Sequence, residues 1–337
     1  MKRALFSAGL SGAVALTTLS GCRSCEEEKA MPKATPSAKP SAATPSSARA
    51  PSRRHRPREG AGALRVHVDQ ARKATVPYLA PSEAELAAFG EWAGRLFAGA
   101  LTDTLPERAA PAGFVGRVAE GGRVWLIAET PDKKRGAGFY VFRPGNARPL
   151  LIEAPHTFYD RGTLELALLA FERLDARALA INTVHRSAGK TADERAEDAE
   201  SGNSPSDLAH VKRSFYSTLH GVLIEADPEL AVVQIHGFRD ERAQGTDVIV
   251  SASGTRGNAR GVAAALREVV PGRVRLYPDE IDTLGGTQNA QAAVSRERKS
   301  GFVHLEISST LRGRLKDDEA LAGRFVDALG AAAESTR

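Results

Sequence analysis

Hydrophobic positions are unevenly spread along the chain, and their spacing changes character twice. Apart from an apolar segment from Ala4 to Thr18, the first sixty-odd residues show no period. Apolar residues return at about Leu64. Between Ser82 and Leu101, Leu86, Phe89, Trp92, Leu96 and Phe97 recur at helical spacing behind Pro81-Ser82 and the acidic Glu83 and Glu85. That pattern predicts one amphipathic helix with a start signal. Gly113 to Val118, Arg123 to Thr130 and Gly138 to Arg143 are short β-branched or aromatic runs, separated by Glu120-Gly121-Gly122 and by Asp132 to Gly136. They predict an antiparallel meander with Trp125 in its core.

After Pro149 strands and helices alternate. The expected strands are Pro149 to Ala154, Ala178 to Thr183, Ala231 to His236, Asp247 to Ala252, Arg273 to Tyr277 and Phe302 to Ile307. The expected helices are Thr163 to Leu174, Ser206 to Glu225, Ala259 to Val269, Gln288 to Lys299 and Lys316 to Ala333. Nearly uniform apolar strands between helices imply a sheet covered on both faces. The fold class is therefore α/β: a mixed, mainly parallel central sheet flanked by helices, with the meander as an antiparallel extension on the N-terminal side. Residues 64–337 form a single domain on this reading, and residues 187–205 a long polar loop.

Composition sets the start of the chain apart. Met1-Lys2-Arg3, the short apolar segment and Leu19-Ser20-Gly21-Cys22 have the layout of an export signal over residues 1–21. Leu-Ser-Gly-Cys resembles the bacterial lipoprotein lipobox, which implies cleavage before Cys22 and lipid attachment to its sulfur. The protein would then sit in the bacterial cell envelope, held to a bilayer by acyl chains at the outer membrane or cell surface. Residues 22–63, rich in Ala, Pro, Ser and Arg, lack the apolar surface to repay ordering and read as a disordered tether. The formal charge of +5 belongs to this region: residues 1–21 contribute +2 and residues 22–65 contribute +6, which leaves 5 − 8 = −3 for residues 66–337. Nucleic-acid binding gains no support from an acidic folded part. The only cysteines are Cys22 and Cys25, so any metal site beyond residue 63 must use His, Asp or Glu.

Two histidines fall where expected strands run out: His156 after Ile152-Glu153-Ala154-Pro155, and His236 before Gly237. At the C-terminal edge of parallel strands such imidazoles converge. Asp160 shares the turn bracketed by Pro155 and Gly162 and is the expected third ligand, with Glu165 in the following helix as the alternative. Two His and one carboxylate leave Zn2+ an open position for water. Glu306 in Val303-His304-Leu305-Glu306-Ile307 is the expected general base, because a carboxylate in an apolar strand is costly without a purpose. Arg312 is placed to hold a substrate carboxylate or to neutralise Glu306. His185 and Arg186 line the same edge as substrate contacts. His210 and His220 read as surface or packing residues on the long helix. Ser253 lacks the frame of a nucleophile elbow, and Gly285-Gly286-Thr287 reads as a substrate-side loop.

The order of His, nearby acid, strand-end His-Gly and a late strand bearing Glu and then Arg resembles the zinc carboxypeptidase and N-formylglutamate amidohydrolase group over Leu150 to Arg312. The carboxypeptidase pattern has His-x-x-Glu, whereas here it is His156-x-x-x-Asp160, which favours the amidohydrolase side. The resemblance implies hydrolysis of an amide bond in a small carboxylate-bearing or peptide-like substrate, with Glu306 relaying a proton to the leaving nitrogen and arginines holding the carboxylate. The alternatives are a non-catalytic lipoprotein binding module on the same fold, or a metal-dependent phosphoesterase.

Overall fold

The computed structural model describes residues 60–72, 78–101, 111–189, 204–252 and 257–333, all within the compact unit His55–Arg337. The leader, Cys22, nearly all of the tether, Ser253 and most of the polar loop lie outside these residues.

Nine strands form one sheet: β1 (Phe114–Ala119), β2 (Val124–Glu129), β3 (Phe139–Phe142), β4 (Arg148–Ala154), β5 (Ala176–Ile181), β6 (Ala231–Phe238), β7 (Val248–Ala252), β8 (Val274–Tyr277) and β9 (Gly301–Ser308). Their spatial order is β1-β2-β3-β5-β4-β6-β9-β7-β8. The centre, β5-β4-β6-β9, is parallel, and the meander β1-β2-β3 extends it antiparallel beside β5. One feature departs from a uniformly parallel core: β7 runs antiparallel to β9, with β8 parallel to β7. Strand direction leaves no trace in hydrophobic periodicity, so the reversal is invisible in the sequence.

Among the described residues the helices are α1 (Gly60–Arg72), α2 (Glu83–Leu101), α3 (Thr163–Arg173), α4 (Phe215–Ala226), α5 (Ala259–Arg267), α6 (Ala290–Arg298), α7 (Ser309–Asp317) and α8 (Glu319–Leu329). α1 begins inside the stretch read as tether. The start signal of α2 is a capping box, in which the Glu85 amide donates to Ser82 Oγ and the Ser82 amide to Glu85 Oε2. Among the described residues no helix is long and apolar enough to cross a membrane.

Strand alternation divides the core in two. Ile152, Val233, Ile235, Val303, Leu305 and Ile307 pack with α3, α5 and α8, while Leu151, Val232 and Phe302 pack with α2 and α4 on the opposite face. Each fully buried large aliphatic or aromatic side chain contributes about 1.5–3 kcal/mol. The first face is apolar along its whole length. The second turns polar toward the C-terminal ends of β4, β6 and β9, and that change places the site.

Candidate metal and catalytic site

On the second face the register aligns polar side chains in rows. Glu153 of β4 is level with Gln234 of β6, Gln234 with His304 of β9, and His304 with Ser251 of β7. One pleat further on, His236 is level with Glu306. These residues share strand parity with Leu151, Val232 and Phe302, so they continue the face those side chains begin.

His156 reaches the same place from the turn after β4. The amides of Tyr159 and Asp160 both donate to the His156 carbonyl, at 2.9 and 2.8 Å, closing a single helical turn. Gly162 then takes φ 94° and starts α3, a conformation strained for any side chain bearing a Cβ. The turn brings the Asp160 carboxylate beside the His156 ring, and both are buried.

The atoms converge closely. His156 Nδ1 lies 3.2 Å from His236 Nδ1, and Asp160 Oδ2 lies 3.5 Å from the first and 3.6 Å from the second. The other ring nitrogen of each histidine is engaged: His156 Nε2 lies 2.8 Å from Asp207 Oδ1 and His236 Nε2 2.8 Å from Gln234 Oε1. Both of these partners are acceptors, so each Nε2 donates, and in the neutral ring each Nδ1 presents a lone pair. Two lone pairs and a carboxylate oxygen therefore face one another in a buried space, an arrangement a cation resolves. Bonds of about 2.0–2.1 Å at tetrahedral angles would set donors about 3.3–3.4 Å apart, close to these three edges. The donor set fits zinc.

Charge follows the geometry. Burial alone would lower the pKa of His156 and raise that of Asp160, but their mutual contact, with Asp207 and His236 added, reverses both: His156 is raised and Asp160 is held well below the usual carboxylate range. Burial drives His236 down to about 4 and His304 well below the ordinary value. Glu306 is pushed up to about 8, first by burial and then by the nearby Asp160 charge. Its Oε2 is buried with no hydrogen-bond partner among the described residues, and its Oε1 lies 3.8 Å from His304 Nε2.

Asp207 and His210 emerge only from the structure. Asp207, 1% exposed, accepts from His156, from His210 Nδ1 at 3.0 Å and from Arg186 Nη2 at 2.5 Å. Burial raises its pKa, but the bonds from His156 and His210 outweigh that and hold it far below the ordinary value. Ring contacts then run His210–His156–His236–His304, with centroid separations of 6.2, 4.8 and 4.8 Å. The sequence reading put His210 on a long helix from Ser206. The helix starts instead at Phe215, where Ser214 caps it by accepting from the Ser217 amide, and the preceding turn delivers Asp207 and His210 to the site. Asp207-x-x-His210 at the end of a polar loop was the only available signal. His220 is a buried packing residue, bonded to Glu153 and Ser295.

His156, Asp160, His210, His236, His304 and Glu306 line a cavity of about 950 Å³. His185 and Arg186 border it, the latter stacked over Tyr159 with its Cζ 5.2 Å from the ring centroid. Arg161, Arg239, Arg242 and Arg312 give the rim a positive character. Arg312 Nε donates to the Arg161 carbonyl at 2.7 Å, and its Nη1 donates to the carbonyls of Phe238 and Ile307. A Cβ at Gly237 would run into this guanidinium, so the glycine after His236 makes room for it. Glu165 is not part of the site. It lies on the outer side of α3, ion-paired at 2.9 Å with Arg65 of α1 and half exposed, which removes it as the alternative ligand.

No protein-family model matches the chain, and no curated protein does. Among solved structures, the chain is similar to a bacteriophage poly-gamma-glutamate hydrolase, with 17% identity and a TM-score of 0.37 over 57% of this chain and 87% of that one. It is similar to N-formylglutamate amidohydrolase from Ralstonia eutropha JMP134, with 15% identity and a TM-score of 0.37 over 56% and 94%. A third similar structure is the zinc-free form of YndL, with 15% identity and a TM-score of 0.39 over 57% and 87%.

Proposed function

We propose that the chain is a zinc-dependent hydrolase, membrane-anchored through an acylated Cys22, that cleaves an amide bond in a small carboxylate-bearing or peptide-like substrate. One observation carries the catalytic part: the Nδ1 atoms of His156 and His236 face each other at 3.2 Å with Asp160 Oδ2 beside both, while each Nε2 is bonded elsewhere. His156, Asp160 and His236 would hold the ion. When bound, zinc would act as a Lewis acid that polarises the scissile carbonyl and makes water acidic enough to attack near neutral pH.

The chain's own groups supply the rest. Glu306, raised to about 8, takes up and releases a proton near neutral pH at an oxygen that no donor among the described residues occupies, which suits a general base that later protonates the leaving nitrogen. Arg186, fixed by Asp207, and the arginines of the rim favour an anionic substrate and orient its carboxylate. Arg312 has Nε and Nη1 committed to backbone carbonyls, so it braces the loops and contributes positive charge beside Glu306.

The test is metal analysis of the purified protein followed by hydrolysis of a panel of N-acyl amino acids and short peptides. About one zinc per chain is expected, lost in His156→Ala and in His236→Ala. Unchanged metal content in both variants refutes the assignment. Glu306→Gln should keep zinc and lose at least about a hundredfold in turnover. The anchor is tested separately by mass spectrometry of the mature N-terminus.

A further inference from the structure

Behind the metal ligands lies a buried polar layer that this mechanism does not use. Glu153, His220, Gln234 and Gln291 are all 0% exposed, and Asn289 is 3% exposed. Such a layer costs stability compared with an apolar core of the same shape unless every group is satisfied, and even then it is often no better than neutral. What it does supply is direction.

Orientation can be traced from groups that have no choice. The Leu208 carbonyl can only accept, and Gln291 Nε2 donates to it at 2.8 Å. The amide end of Gln291 is thereby fixed, so its Oε1 faces Gln234, whose Nε2 donates to it at 3.1 Å. Gln234 Nε2 also donates to Glu153 Oε2 at 2.8 Å, a second acceptor on the same side. Independently, the Ala292 amide can only donate, and it donates to Asn289 Oδ1 at 2.9 Å, so the Nδ2 end of Asn289 points to Gln234 Oε1. Both paths give Gln234 the same orientation, with Oε1 toward His236. An imidazole nitrogen 2.8 Å from that oxygen must be N–H.

We infer that Gln234 is a positioning residue through which a buried amide relay, anchored on the Leu208 carbonyl and the Ala292 amide and backed by Glu153, locks His236 in its Nε2–H tautomer and so presents Nδ1 as a metal-ready lone pair. The inference rests on the zinc reading for its purpose but not for its geometry. His156 obtains the same tautomer directly from a carboxylate, Asp207, whereas His236 obtains it from a neutral amide. One ligand is thus tuned by charge and the other by orientation alone. Loss of such supporting partners typically costs about 10–100-fold in metal affinity.

The experiment uses the full-length chain. Long-range 1H–15N NMR of the chelator-treated protein reads the His236 tautomer, and chelator competition reads the zinc dissociation constant. Wild type is expected to show Nε2–H at His236. Gln234→Met, which keeps the volume without a polar end, is expected to show mixed tautomers and zinc binding weakened about 10–100-fold. Gln291→Met, remote from the ligands, should give a smaller change in the same direction and serves if Gln234→Met fails to fold. A Gln234→Met protein with the wild-type tautomer, and zinc affinity within about twofold, overturns the relay. If wild type takes up no zinc, the metal reading fails, while the tautomer spectra still decide the relay.

Discussion

Ionising Glu306 inside the fold should cost stability, and that cost can be read directly. Its side chain is 12% exposed, its Oε2 has no hydrogen-bond partner among the described residues, and burial followed by the Asp160 charge moves it from an ordinary 4.5 to about 8. Between those values the folded state holds a proton that the unfolded chain has released, so stability is full below about 4.5, falls as pH rises and levels off above about 8. At about 1.4 kcal/mol per pH unit the ceiling is about 5 kcal/mol, and water entering the open cleft brings the expected effect to about 2–4 kcal/mol. Glu306→Gln keeps the shape and removes the titration. His236 and His304, both lowered, and His156, which is raised, are present in both proteins and largely cancel in the difference. The assay is urea unfolding in chelator from pH 5 to pH 9, followed by fluorescence of the buried Trp92 and Trp125. The variant should match wild type near pH 5 and exceed it by a few kcal/mol at pH 8.5. A difference that does not change with pH refutes the claim that Glu306 is a desolvated acid.

Two further substitutions separate the ligand set from its surroundings. Asp207→Ala leaves His156, His210 and Arg186 without their shared acceptor; zinc affinity should fall about 10–100-fold in chelator competition, and an unchanged affinity would show that Asp207 does not orient His156. Glu165→Ala removes only the ion pair with Arg65, whose side chains are 39% and 48% exposed, so stability should change by less than about 1 kcal/mol with zinc retained. Loss of zinc in that variant would return Glu165 to the ligand set.

Legibility in the sequence follows how local each cause is. His156, His236 and Glu306 could be found because each interrupts or ends an apolar strand, where a polar group is expensive and therefore conspicuous. The meander and the helix from Glu83 were visible for the same reason, through alternation and a capping box. Asp207 and His210 were hidden because no period runs through the turn they occupy, and because the helix expected from Ser206 is in fact capped by Ser214. Gln234 and Glu153 were in plain view inside expected strands. Their meaning depends on which strands are neighbours, and the register that aligns them belongs to the assembled sheet.

Asp160, the proposed acidic ligand, shows how an unexpected spacing can still bring a carboxylate to two imidazoles. A His-x-x-Glu pair puts ligands three residues apart, while His156 and Asp160 are four apart, which by itself made Glu165 a credible replacement. The backbone settles the difference: Asp160 donates its amide to the His156 carbonyl at 2.8 Å, so the two residues stand one helical turn apart, where i,i+3 and i,i+4 side chains both meet on one face. Asp160 Oδ2 also accepts from the Gly237 amide at 3.0 Å, which ties the turn after β4 to the end of β6. A shorter side chain on a longer spacing thus reaches the same point between two imidazoles. Glu165, after Gly162 has redirected the chain into α3, has its carboxylate turned toward α1. What brings a carboxylate to the two imidazoles here is the turn that carries it, and counting residues is a proxy for that turn.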